Sequence, residues 1–316
     1  MGIMEDAGKA LSRREILKQG SWLIAGAAAA GVPVRLLAEE LAALDVASAG
    51  SVRAMLDGPL KVAAAATLKL DLRSHSQGAD AVAHSLVDGS LRADLFIPIT
   101  AGPMRTVMQA GKADVAYPIA RTEMVLVYSP KSRFAAQFDA AAAGKASWWE
   151  VLQEPGLSFA RGNPAGDPGG RNAFFVMMLA AKKYGHPEMV ERLLGPVESP
   201  PAAGGNNQDK LKTGELDAAT SYRVGTSFSS LPFIVLPKDV NLSGDRVREE
   251  HPDVSLSIGG KTFYPEPLVF YAAVLKDAMN PKGAAAFLEW LKAAEARALL
   301  GKYQYDAPGE AVAIHA

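Results

Sequence analysis

TLKLDLRSHSQGADAVAHSLVDGSLRADLFI, residues 67–97, decides the fold. Its first seven residues alternate: Leu68, Leu70 and Leu72 face one way, Lys69, Asp71 and Arg73 the other. Period two is the mark of a strand with one wet face. Ser74–Gly78 (SHSQG) reads as a polar loop. Ala79–Val87 follows with Val82 and Leu86 one helical turn apart, stopped near Gly89. Ala93–Ile97 (ADLFI) then reads as a second strand, and Pro103–Ala110 as the next helix. Upstream, the apolar run Leu44–Ala49 is a buried strand broken by Gly50-Ser51, and Asp57-Gly58-Pro59 opens a helix over Leu60–Ala65. Strand and helix alternate three times, which predicts a mainly parallel sheet with helices on both faces.

The same alternation continues downstream. Glu123–Tyr128 (EMVLVY) and Leu157–Ala160 read as strands, and Ser147-Trp148-Trp149-Glu150 as a capping box. Asn172–Tyr184 reads as a helix with Phe175, Met178 and Leu179 on one face, ended by Gly185. Pro187–Leu194 and Asn206–Thr213 are further helices. Leu216–Ser221, Phe233–Leu236, Val254–Ile258 and Leu268–Val274 are further strands. Asn280-Pro281 opens a final helix to about Leu300, closed by Gly301. Two α/β halves follow each other, and the last strand and helix can rejoin the first half.

The 316 residues carry 33 Lys and Arg against 34 Asp and Glu, so no basic excess points to nucleic acid. No cysteine is present, which excludes disulfides, thiolate metal sites and cysteine nucleophiles. The five histidines show no metal-ligand spacing. There is no GxSxG elbow and no HExxH motif, and Glu249-Glu250 lies in a charged run that reads as a solvated face. The residues thus offer little to an exported α/β enzyme. At the N-terminus, Ser12-Arg13-Arg14-Glu15-Ile16-Leu17-Lys18 precedes an apolar stretch from Ser21 to Val34 that is too short to span a membrane. It resembles a twin-arginine export signal, which would engage the twin-arginine translocase and place the protein in the periplasm. Cleavage near Ala38 would take the net charge from −1 to −4.

The order of several motifs resembles class II periplasmic binding proteins for molybdate and tungstate. They are Ala49-Gly50-Ser51 after the first strand, Ser74–Gly78 before a helix, and Ala93-Asp94-Leu95-Phe96-Ile97. Arg121–Tyr128 is similar to that family's crossover strand. Asn163-Pro164 through Asp167-Pro168-Gly169-Gly170, with Tyr184 ending the next helix, looks like the tungstate/molybdate branch. Gly214-Glu215-Leu216-Asp217-Ala218 through Tyr222, Leu236-Pro237, Val240-Asn241-Leu242 and Lys276-Asp277-Ala278 continue the match. The resemblance implies two lobes, joined by crossovers near Arg121–Thr122 and Tyr264–Glu266, with a small oxyanion between them. An ABC permease is the implied partner, and no cofactor and no free metal cation are expected. It further implies that lobe I spans 39–121 plus 264–316 and lobe II 122–263. A soluble carrier with faces free for a permease would be a monomer.

A desolvated oxyanion needs donors aimed at its oxygens, from helix N-termini and from hydroxyls. The resemblance places four turns there. Ser51 is a turn serine or a ligand contact. In the second turn Ser76 and Gln77 are the candidates, and a solvated loop is the alternative. In the third, Asp167 can cap the following helix or, as in the tungstate branch, reach the oxyanion's metal. Gly169 and Gly170 would let backbone approach the anion, and Arg171 reads as a first-turn surface charge. The fourth holds Ser221 and Tyr222. Tyr222 matches the tyrosine that donates to the anion in the bacterial molybdate branch. Ser221 departs from the glutamate of the tungstate branch, which removes a second carboxylate ligand. Arg73, His75 and Arg223 add charge near these turns. If two of them line the cleft, the ligand is a different anion, such as a carboxylate or a phosphorus oxyanion. A binding protein that serves a sensor, or one for sulfate, is the other open alternative.

Overall fold

The computed structural model describes residues 41–198 and 207–316. The expected signal segment, residues 1–38, and Asn206 lie outside them. A six-stranded sheet has the order β12-β4-β11-β3-β1-β2. Its strands are β1 (Ala42–Ala49), β2 (Leu70–Gln77), β3 (Leu95–Ile97), β4 (Val115–Arg121), β11 (Val269–Val274) and β12 (Ile314–His315). A four-stranded sheet has the order β6-β7-β5-β8, from β5 (Met124–Tyr128), β6 (Phe159–Ala160), β7 (Ala218–Tyr222) and β8 (Phe233–Val235). A separate hairpin pairs β9 (Leu256–Ile258) with β10 (Lys261–Phe263). The fold is the expected α/β type with two lobes.

Both sheets are more mixed than expected. The parallel pairs are β1–β2, β1–β3 and β6–β7, and the other pairs are antiparallel. The βα units at 42–97 make the parallel half of the first sheet. Strands β4 and β11 carry the chain out to the second lobe and back, and two strands so connected run in opposite directions. Nothing in the sequence flagged β4, because Pro118 argues against a strand. Pro118 is tolerated because it sits opposite Tyr271, where the β11–β4 register shifts.

In the quoted stretch the strand slides by three residues. The alanine-rich helix Pro59–Leu68 runs through Leu68 and stops at Lys69, which adopts the left-handed conformation at φ 57°. Alanine is the strongest helix former, so the helix consumes the start of the apparent alternation. Strand β2 then absorbs Ser74–Gln77, the expected loop, because all eight of its residues pair in register with β1. Ser147 stands at the N-cap of Trp148–Val151 without a side-chain capping bond. The final helix divides at Ala293 (φ −76°, ψ 159°) into Pro281–Lys292 and Ala294–Lys302, so Gly301 lies inside a helix rather than ending one.

Each sheet is covered on both faces. Leu44, Val46, Leu72 and Phe287 belong to the core on one side of the large sheet, and Ala47, Phe96, Met104 and Val107 to the core on the other. The second lobe is built around the helix Pro168–Tyr184, in which Phe174, Phe175, Val176 and Met177 are all buried. Burying each such side chain stabilises by about 1.5–3 kcal/mol. The chain after β7 returns to the first lobe. Val224 is fully buried in that lobe's core, and Tyr222 packs against the cores of both. Phe228 stacks on Tyr303 at 5.1 Å and 4° between planes.

Candidate functional site

The strand ends of the two lobes face one another across a cavity of about 420 Å³. Ser51, Gln77, Gly78 and Ile99 line it from the first lobe, and Asp167, Gln208, Ser221, Tyr222 and Phe228 from the second. Each arrives by the same local device: an apolar strand ends, small or polar residues turn the chain, and a helix or helical turn begins. Strand β1 ends at Ala49 and Gly50–Val52 turns as a 3-10 helix. Strand β2 ends at Gln77, and Gly78 caps the helix Ala79–Asp88. Asp167 occupies the N-cap of Pro168–Tyr184 in extended conformation, without a side-chain capping bond. Tyr222 precedes the short turn Arg223–Thr226.

Ser51 Oγ is buried and has no hydrogen-bond partner. A buried hydroxyl with nothing to donate to costs about 1–3 kcal/mol, and such groups are found where something else completes them. Across the cavity, Asn172 Nδ2 donates to Tyr222 Oη at 3.0 Å. That leaves the phenolic proton for another acceptor. Burial pushes the Tyr222 hydroxyl well above its ordinary pKa, and the Asp167 charge adds to the effect, so it remains a donor at neutral pH. Burial likewise raises the Asp167 carboxyl, while the Gly169 N–H and Arg171 pull it back. Ser221 Oγ lies 3.3 Å from the Tyr222 carbonyl oxygen. No Lys, Arg or His lines this cavity.

The other candidates lie elsewhere. Ser76 turns inward, with its Oγ 2.7 Å from Ser48 Oγ, and its carbonyl accepts from Arg53. Strand alternation therefore gives the cavity Gln77 and the sheet Ser76. Gly169 sits behind the site: a Cβ there would lie 2.8 Å from Asp167 Oδ2 and 3.4 Å from Tyr222 Oη. Gly170 serves packing, since its Cβ would meet the Asn163 carbonyl carbon at 2.4 Å. The charged residues that could have altered the ligand class point away. His75 pairs with Asp45 at 2.9 Å, and Arg73 lies 3.5 Å from Asp71. Arg223 pairs with Glu123 at 3.3 Å in the crossover region. Arg171, read as a surface charge, is instead buried and paired with Asp80 at 2.6 Å. Gln208 and Asn172 carried no signal in the sequence, because a helical amide looks the same whether it meets water or a cleft.

The lobes are closed. Gly78 lies against Gly166 of the other lobe so tightly that a Cβ would fall 2.5 Å from the Gly166 carbonyl oxygen. The arrangement presents neutral donors and one carboxylate to a small guest, and holds it between two bodies that a hinge can separate.

Known proteins share this architecture. The molybdate/tungstate-binding protein WtpA of Pyrococcus abyssi is 25% identical over 263 residues, covering 76% of this chain and 75% of that one. WtpA of Thermococcus kodakarensis is 25% identical over 265 residues, covering 76% and 73%. Among solved structures, the periplasmic molybdate-binding protein of Azotobacter vinelandii superposes with a TM-score of 0.55 at 19% identity, covering 83% of this chain and 98% of that one. Residues 44–306 match the family described as bacterial extracellular solute-binding protein, and the chain belongs to that family.

Proposed function

We propose that this solute-binding protein captures a tetrahedral oxyanion of the molybdate or tungstate kind in the interlobe cavity and delivers it to an ABC importer. The observation that carries the reading is the orphaned Ser51 hydroxyl, set opposite Tyr222 across a cavity lined from both lobes. Donors without cationic side chains suit a multiply charged anion that must later be released, because every oxygen is satisfied and no fixed charge holds it. The binding specificity named for the WtpA relatives supports the same ligand class. Ser221, in place of a second carboxylate, favours a guest that keeps four-coordinate geometry. On this reading Ser51, Gln77, Asp167, Ser221 and Tyr222 contact the anion, and Ser76, Gly169 and Gly170 support the turns. Lobe I comprises 39–121 plus 264–316 and lobe II 122–263. The chain is exported through its twin-arginine-type segment and works as a monomer.

Thermal unfolding with sodium molybdate, tungstate, sulfate and phosphate tests the ligand class. A ligand at 100 times its Kd stabilises by about 2.7 kcal/mol. Molybdate or tungstate should raise the melting temperature at micromolar concentration, and a shift with sulfate or phosphate alone would replace the ligand named here. Ser51→Ala should weaken binding by about 1.5–3 kcal/mol, roughly ten- to hundredfold in Kd. It should leave the stability of the free protein unchanged, since Ser51 Oγ bonds nothing within it. Calorimetric titration and urea unfolding read the two effects separately.

A further inference from the structure

We propose that Asp80 and Arg171 form a latch that holds the two lobes closed before any ligand arrives. The inference rests on the reading of the interlobe cavity as the binding site. Asp80 stands in the first turn of the helix Ala79–Asp88 in the first lobe, and Arg171 in the first turn of Pro168–Tyr184 in the second. Their side chains meet at 2.6 Å with 17% and 7% exposure. The pair borders a second, smaller chamber of about 190 Å³ rather than the cavity that holds Ser51 and Tyr222.

Arg171 is fixed by its own lobe. It donates to the Pro164 carbonyl oxygen at 3.0 Å, and its guanidinium lies 4.2 Å from the Phe263 ring centre. It therefore keeps its position when the lobes part, and Asp80 is the member that leaves. A buried pair is poorly screened by salt, and separating it returns both groups to water only when the lobes open. The carboxylate sits at the N-terminal end of its own helix, where negative charge is favoured, whereas an arginine in a first turn is disfavoured without a counter-charge. Closure thus satisfies the arginine and costs the aspartate little. A latch of this kind raises the closed fraction of the free protein, and apparent affinity scales with that fraction. It acts on every ligand alike and sets affinity without touching the anion.

Three variants test it: Asp80→Asn, Arg171→Gln and the double substitution. Small-angle scattering of the free protein reads closure with no ligand present. Calorimetric titration with sodium molybdate and sodium tungstate reads affinity. Each single variant should increase the radius of gyration of the free protein and weaken binding about tenfold. The double variant should be no worse than either single one, because the interaction is lost only once. Additive losses would assign Arg171 to the anion directly and overturn the latch, as would an unchanged scattering curve in Asp80→Asn. Should Arg171→Gln fail to fold, the Asp80→Asn scattering decides alone. Should the free variants open while the parent chain binds neither anion, the latch stands and the oxyanion reading falls.

Discussion

Gly78→Ala should abolish tight ligand binding while leaving the free protein at least as stable as the parent. Gly78 has φ −57° and ψ 130°, which alanine adopts without strain, so this glycine is not required by its backbone. What requires it is the other lobe. A Cβ would stand 2.5 Å from the Gly166 carbonyl oxygen and 3.1 Å from Asp167 Cβ. One lobe would have to withdraw by close to an ångström, and donors on the two walls would no longer reach the same anion. An affinity loss of about a hundredfold or more is expected, or about 2.7 kcal/mol. Replacing glycine with alanine at a compatible position stabilises by about 0.4–1 kcal/mol through the unfolded chain, so the melting temperature of the free protein should hold or rise. Gly166→Ala is the control. A Cβ on Gly166 meets nothing within 4 Å, and that variant should bind as the parent does. Titration of both with the same anion checks the argument, and equal affinities would refute it.

Asp217→Ala should cost about 3 kcal/mol of folding stability, far from any ligand. Asp217 is 9% exposed. One carboxylate oxygen accepts from Ser132 Oγ at 2.5 Å, and the other from the Ser158 N–H at 2.7 Å and Ser158 Oγ at 2.9 Å. Three chain segments, those after β5, before β6 and before β7, are tied at one point. Truncation leaves three donors without an acceptor in a poorly hydrated place. Burial by itself would raise the pKa of this group. The Ser132 hydroxyl and the Ser158 N–H and hydroxyl outweigh it and hold the carboxyl below its ordinary value. A depressed folded-state pKa means the stabilisation is complete above the unfolded value near 4 and is lost as pH falls through the folded one. Urea unfolding at neutral pH and again in acid should therefore separate parent and variant widely in the first case and less in the second. An unchanged urea midpoint at neutral pH would refute the role.

The turns that build the site were legible in the sequence because they are made by contrast. Ala49-Gly50-Ser51 and Gly162–Arg171 interrupt apolar runs with small, polar or proline residues, and those types end strands whatever the tertiary context. The choice between neighbours was not legible. Ser76 and Gln77 are both polar, and the parity of β2 sends one to the sheet and the other to the cavity. That parity depends on where the strand starts, which the helix ending at Leu68 displaced. Contacts between lobes were hidden for a different reason. Arg171 looks like a solvated first-turn charge until Asp80, on a helix of the other lobe, is set beside it. Strand β4 stayed hidden because the register shift that accommodates Pro118 belongs to its partner β11.

The segment from Tyr222 to Phe228 grips the first lobe through Val224 and the Phe228–Tyr303 stack. A side chain seated in a packed interior does not slide, so rotation between the halves must pivot beside it. Displacement about a pivot grows with the lever arm. The wall carrying Ser221 and Tyr222 therefore stays nearly still as the molecule breathes, while more distant rims swing wide. Incoming solute would meet a stationary anvil on one side and a travelling jaw on the other.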